Sequence, residues 1–97
     1  MQKLDRVTHL LTLASEECNE IAKELLKCVR FTPFDSLNGT RNVDRVSNEL
    51  ADLMGVIELL REEGVDINPT RIAINDKKAR LKHWMAVSDR LRDATSN

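Results

Sequence analysis

Aromatic residues are scarce: the 97-residue chain has Phe31, Phe34 and Trp84 and no tyrosine. It has only three glycines and two prolines. That is too little turn punctuation for a β-sandwich or barrel. Neither charge sign dominates, with 15 Lys+Arg against 16 Asp+Glu and a formal net charge of −1. Proteins dedicated to nucleic acid or to a membrane surface usually carry a basic excess, so neither partner is expected. No apolar run approaches the about 20 residues of a spanning helix, and no charged-then-apolar leader opens the sequence. Disorder is excluded as well, because 41% of the chain is hydrophobic and its apolar residues are periodic. The expectation is one soluble, cytoplasmic, all-α domain over residues 1–97.

A chain this short builds a modest core and often needs a disulfide, a metal or self-association. Cys18 and Cys28 fall on one expected helix, about 15 Å apart along its axis. A disulfide needs Cα atoms within roughly 7 Å. Two free, buried thiols are therefore expected, as suits a reducing compartment. Metal or self-association is left as the supplement.

Three long helices can be read. The first runs from about Gln2 to Arg30, with Val7, Leu11, Ala14, Cys18, Ile21, Leu25 and Val29 at helical spacing. It should stop before Thr32-Pro33, because proline disfavours helical geometry in the residue ahead of it. Residues 32–41 read as a polar loop. The second helix should start near Asn42 as N-cap and carry the stripe Val46, Leu50, Leu53, Val56, Ile57 and Leu60. Gly64 is placed just past its end. Asn68-Pro69 reads as the N-cap and first position of a third helix reaching about Arg92, with residues 93–97 frayed. The expected architecture is an antiparallel bundle of three long helices, completed by homo-oligomerisation into four-helix-bundle-like cores.

Charge divides along the chain. Residues 1–68 hold 8 basic and 13 acidic side chains, whereas residues 69–97 hold 7 basic and 3 acidic ones. This suggests an acidic part that holds cations and a basic part that holds an anion. Simple complementarity between helices is the plainer explanation.

The acids are ordered. Glu17 and Glu20 on the first helix, like Glu49 and Asp52 on the second, stand at i, i+3 and so share a face. Measured from the stripe Ala14, Cys18, Ile21 and Leu25, Glu17 and Glu20 lie roughly 70° and 130° away. Glu49 and Asp52 lie at the same rough angles from Val46, Leu50, Leu53 and Ile57. If the stripes pack together, the four carboxylates can converge along one edge, while Glu16 points nearly opposite. Converging carboxylates repel unless cations neutralise them. Mg²⁺, with Mn²⁺ as an alternative, takes carboxylate oxygens and keeps waters that phosphate oxygens can replace. Zn²⁺ is not expected, for want of a His or Cys ligand set. A di-iron bundle needs Glu-x-x-His, but Arg6 and Arg80 stand three residues before His9 and His83.

Glu16-Glu17-x-x-Glu20, a spacer, then Glu49-x-x-Asp52 resembles the signature of the all-α nucleoside triphosphate pyrophosphohydrolases, the MazG-like family. The strings Ser15-Glu-Glu-Cys-Asn-Glu and Asn48-Glu-Leu-Ala-Asp-Leu-Met are similar to short MazG-like proteins of phages. For such a protein the host cytoplasm is the expected location. The resemblance covers about residues 10–85. It implies that Glu17, Glu20, Glu49 and Asp52 ligate Mg²⁺, and that water attacks the α-phosphate of a nucleoside triphosphate. The implied products are a nucleoside monophosphate and pyrophosphate. Asn75 and Lys78 resemble the family's phosphate-binding pair, and the implied assembly is a homodimer or homotetramer. The 28-residue stretch between Glu20 and Glu49 is long for the pattern.

The remaining candidates follow from position. Arg71, Asn75, Lys78 and Lys82 share one face of the third helix and could reach a phosphate chain. A solvated face is the simpler reading for Arg71. Lys27, and less so Lys23, are further phosphate candidates, each three residues after an acid that could merely balance its charge. Phe31 or Phe34 could stack on a base, or simply anchor the loop. Glu16, Glu17 and Glu20 are alternatives for the acid that activates water. The competing functional reading is a catalytically silent nucleotide-binding or protein-interaction module using the same residues as salt bridges.

Overall fold

A computed structural model describes residues 3–95, so Met1, Gln2, Ser96 and Asn97 lie outside it. The chain divides into two compact units, residues 1–67 and 68–97. The first unit holds helix α1 (Lys3–Phe31), strands β1 (Ser36–Leu37) and β2 (Thr40–Arg41), and helix α2 (Asn42–Glu62). The second holds helix α3 (Arg71–Thr95).

Helix α1 ends where the proline rule requires. Thr32 adopts φ 73°, a left-handed conformation that a β-branched residue rarely takes. Three hydrogen bonds hold it there. The Thr32 hydroxyl accepts from the Phe34 and Asp35 amides at 3.3 and 3.2 Å, and its carbonyl accepts from Asn42 Nδ2 at 2.8 Å. The expected polar loop is in fact a short antiparallel hairpin, pairing Ser36 with Arg41 and Leu37 with Thr40. Asn38 (φ 55°) and Gly39 (φ 82°) form its turn. Two positive φ angles in an Asn-Gly pair match the twist of the flanking strands.

Asn42 is not the N-cap expected from sequence. It is the first residue of α2, is buried, and spends its side chain on Thr32. The free amides of Asn42 and Val43 are taken by the carbonyls of Asp35 and Pro33, both at 2.9 Å. The loop backbone therefore caps the helix, and no capping side chain is needed. Arg41 occupies the cap position and grips Asp44 through Nε and Nη2 at 2.9 and 3.1 Å.

The far end of α2 closes as expected. Gly64 sits at φ 89°, its amide bonds the Arg61 carbonyl and that of Val65 bonds the Leu60 carbonyl, both at 2.9 Å. This is a complete Schellman closure. In α3 the cap is Thr70 rather than Asn68, with Oγ1 accepting from the Ala73 amide at 3.1 Å. Residues 93–95, expected to fray, are helical.

Helices α1 and α2 pack against each other. They run antiparallel, because Arg6 near the start of α1 pairs with Glu63 beyond the end of α2 at 2.8 Å, while Thr32 meets Asn42 at the opposite ends. Among the described residues the buried apolar side chains are Leu10 (7% exposed) and Leu60 (0%). Both cysteines are free, but Cys18 is exposed and Cys28 only half-buried, against the expectation that both are buried. On α3 every described side chain is exposed except half-buried Val87. No helix is long and apolar enough to cross a membrane among the described residues.

Candidate metal centre

The face of α1 turned to α2 is not the one centred on Cys18 and Leu25. Leu10, Ala14, Glu17, Ile21, Glu24 and Cys28, spaced alternately by four and three, are buried or half-buried, with Val7, Leu13 and Glu20 half-buried beside them. Along α2 and just past its end, Val46, Glu49, Leu53, Val56, Leu60 and Glu63 repeat this spacing and are buried or half-buried, with Ile57 half-buried beside them. This is the heptad pattern of two helices meeting along a seam. Leu11, Cys18, Leu25, Val29 and Leu50 lie exposed outside it. The helices thus have a second apolar side, and a wheel centred on all apolar residues falls between the two. The consequence is chemical: Glu17, Glu24 and Glu49 stand in the seam itself.

Antiparallel packing brings acids of the two helices together, and counting inward from the Arg6–Glu63 pair sets Glu17 opposite Asp52. One carboxylate oxygen from each of Glu17, Glu49 and Asp52 falls within a span of 4.8 Å. Glu17 and Glu49 are half-buried and Asp52 is exposed. Three of the four expected ligands therefore converge. The fourth, Glu20, is half-buried next to them, outside this triple, and Lys23 donates to it at 3.4 Å. Glu16 is exposed and outside the triple.

The crowding bears on the proton affinity of one member. The Glu49 carboxyl is pushed above its ordinary 4.5, first by desolvation and then by the charges of Asp52, Glu17, Glu20 and Glu24. A carboxyl raised on folding holds its proton more tightly in the folded state than in the unfolded one. Its contribution to stability is present below the ordinary value and is lost as pH rises through the raised value. Asp44 acts in the other direction and in a lower window. Its value is lowered from 3.8, chiefly by the Arg41 hydrogen bond, so its contribution is lost as pH falls through that lowered value. Cation-free protein should therefore melt at a lower temperature near pH 7 than near pH 4.5, the ordinary Glu49 value. Circular-dichroism melts in EDTA measure this, and the opposite slope would contradict the crowding.

Sequence reasoning missed Glu24. It lies four residues after Glu20 and seven after Glu17, on the same helix face. The signal was there, but Lys27 at i+3 offered an adequate partner. Glu24 is 9% exposed, and its Oε1 does accept from Lys27 at 3.0 Å.

Lys27 leads from the acids to a cavity of about 320 Å³ lined by Lys27, Phe31, Asp35, Ser36 and Asn42. The hairpin and the pinned Thr32 shape this wall, bringing Asp35 and Ser36 to the end of α1. The volume lies at the lower end of the about 300–1,000 Å³ range of small-molecule sites. Phe31, held under the Arg30 guanidinium at 5.8 Å, is the aromatic in its wall. Phe34 is exposed and does not line it. On the second unit, Asn75, Lys78, Ala79 and Lys82 line a shallower hollow of about 240 Å³. The five expected substrate-binding residues thus all line a cavity, Lys27 and Phe31 in one unit and Asn75, Lys78 and Lys82 in the other. Trp84 is exposed and meets His83 edge-on at 5.3 Å.

No protein-family model, curated protein or solved structure matches this chain.

Proposed function

We propose that the protein is a Mg²⁺-dependent nucleotide pyrophosphohydrolase of the MazG-like kind, converting a (deoxy)nucleoside triphosphate to the monophosphate and pyrophosphate. The observation that carries this reading is the convergence of Glu17, Glu49 and Asp52, from two helices, within 4.8 Å in a partly desolvated seam. Acids placed where they repel each other are tolerated when the place has a cationic occupant. The donor set is all carboxylate, which fits Mg²⁺ or Mn²⁺ and not zinc. When bound, the ion supplies charge neutralisation for the phosphates and a water of lowered pKa. Glu20 stands beside the triple as a further ligand.

The rest of the chemistry falls to the chain. Lys27 stands between the acids and the cavity, where it can meet a phosphate as it leaves Glu24. Phe31 offers a face to the base. On the basic helix, Asn75, Lys78 and Lys82 line a hollow of their own whose donors suit phosphate oxygens. The water oxygen bonds the α-phosphorus and the bond to the bridging oxygen of the β-phosphate breaks. The electron pair leaves with pyrophosphate, and a carboxylate of the cluster takes the water's proton. Such a protein serves control or cleansing of the nucleotide pool. Exposed Leu25, Val29, Leu81, Trp84 and Met85 support a homodimer or homotetramer, since patches of this kind are seldom left open to water.

Thermal melts and a substrate panel test the reading. Mg²⁺ should raise the melting temperature, and Mg²⁺ with a non-hydrolysable nucleotide should raise it further. Pyrophosphate should then be released from at least one of a set of NTPs and dNTPs. A shift without release would leave a silent nucleotide binder. Indifference to both would leave an interaction module whose acids are salt bridges.

A further inference from the structure

We propose that Asp35 makes the cavity at the end of α1 selective for guanine, its carboxylate accepting from N1–H and the N2 amino group of the base. This rests on the nucleotide reading above and adds to it which base is held.

The cavity of about 320 Å³ has room for a bicyclic base, and its surface is mainly apolar. Phe31 supplies a ring for stacking. Of the five residues that line it, Lys27 and Asp35 are charged, and they differ in what they already meet. Lys27 is paired with Glu24 at 3.0 Å. The carboxylate of Asp35 has no hydrogen-bond or ion-pair partner among the described residues. Its backbone, by contrast, is tied on both sides. The Asp35 amide donates to Thr32 Oγ1 at 3.2 Å, and its carbonyl accepts from the Asn42 amide at 2.9 Å. Both main-chain polar groups are therefore occupied, and the carboxylate is what Asp35 has left for a ligand. It departs from a backbone that is already ordered, so little freedom is lost when it is used.

Charge makes the position informative. A free carboxylate in the wall of a site for a polyanion repels the ligand, unless the ligand brings donors to it. Among the common bases, guanine presents two adjacent donors on its Watson–Crick edge, N1–H and the N2 amino group. A carboxylate accepts both at once, as it does from a guanidinium fork. Uracil and thymine flank their N3–H with two carbonyl oxygens, which face the carboxylate with like partial charge. Adenine and cytosine set a ring-nitrogen acceptor beside the amino group on that edge. Guanine is thus the base that turns Asp35 from a repulsion into a contact.

The test is a nuclear magnetic resonance titration of the ¹⁵N-labelled full chain, in EDTA, with GMP, AMP, CMP and UMP. The phosphate is common to all four, so the ratio of affinities reads the base, and no cation is involved. GMP should bind about tenfold or more tightly than UMP and shift the amides of Lys27, Phe31, Ser36 and Asn42. Asp35→Asn replaces one acceptor by a donor and removes the charge, and it should cut the GMP-to-UMP ratio by about tenfold. Should that variant not fold, Asp35→Glu keeps the charge but displaces it by one methylene, and the ratio must still fall. Equal binding of the four, binding of none, or a preference for another base overturns the proposal. So does an unchanged ratio in the variant, which would mark Asp35 as a solvated turn residue. The hydrolase reading is judged separately, by pyrophosphate release with Mg²⁺. Guanine selection in EDTA without release from any triphosphate keeps the pocket and removes the hydrolase. Release from all triphosphates at equal rates, without selection in EDTA, keeps the hydrolase and removes the guanine pocket.

Discussion

Glu49→Gln should leave the helices intact and abolish pyrophosphate release, a loss of about 10²–10³-fold or more. Glu49 is the member of the cluster on which the other acids bear most visibly. Asp52 and Glu17 share its 4.8 Å neighbourhood, and the charges of Glu20 and Glu24 also push its carboxyl above the ordinary value. Glutamine keeps the shape and one acceptor oxygen but removes the charge that a hard divalent cation requires. The variant separates function from folding because the two effects have opposite signs. Without cation, the repulsion is relieved and the melting temperature should hold or rise. With Mg²⁺, the gain seen in the wild type should shrink or vanish. Circular dichroism, melts with and without Mg²⁺, and a pyrophosphate assay supply the three readouts. Undiminished release would refute Glu49 as a ligand, and with it the convergence on which the functional reading stands.

The acids were legible in the sequence because i, i+3 spacing is a local property. A helix delivers Glu17 with Glu20, and Glu49 with Asp52, whatever it packs against. The helix ends were legible for the same reason: Pro33 stops α1, and Gly64 takes the positive φ that closes α2. Which face meets which neighbour was not legible. Two apolar sides on one helix give a single averaged direction, so Glu17 was expected at the edge of the seam when it stands inside it. Tertiary contacts also decide how capping residues are used. Asn42 and Thr70 are both good caps by composition, but the carbonyls of Pro33 and Asp35 reach the start of α2 and release Asn42 for Thr32. The hairpin was a missed local signal, since Asn38-Gly39 is a favoured turn pair. Glu24 was hidden by an adequate partner three residues on, and only burial shows that the partner satisfies one of its two oxygens.

Leu60→Ala should be the most damaging apolar substitution in the first unit, costing about 2–5 kcal/mol. Leu60 is the described residue with no exposed surface at all, and Leu10 is the other buried apolar one. Its backbone carries weight too, since its carbonyl accepts from both Glu63 and Val65, at 3.0 and 2.9 Å, where α2 is closed. Truncation leaves that closure without the side chain beneath it. Domains of ordinary stability hold about 5–15 kcal/mol in total, and a unit whose described residues bury two apolar side chains has little in reserve. Urea unfolding should therefore show a midpoint far below wild type, or no folded baseline. Val29→Ala is the counterpart. Val29 is 84% exposed in the single chain, so by itself it should cost no more than about 0.5 kcal/mol. If a second copy covers that side of α1, the loss will exceed this and will grow with protein concentration, because association then contributes to stability. A midpoint for Leu60→Ala equal to that of Val29→Ala at every concentration would mean that the seam between α1 and α2 is not what holds the carboxylates together.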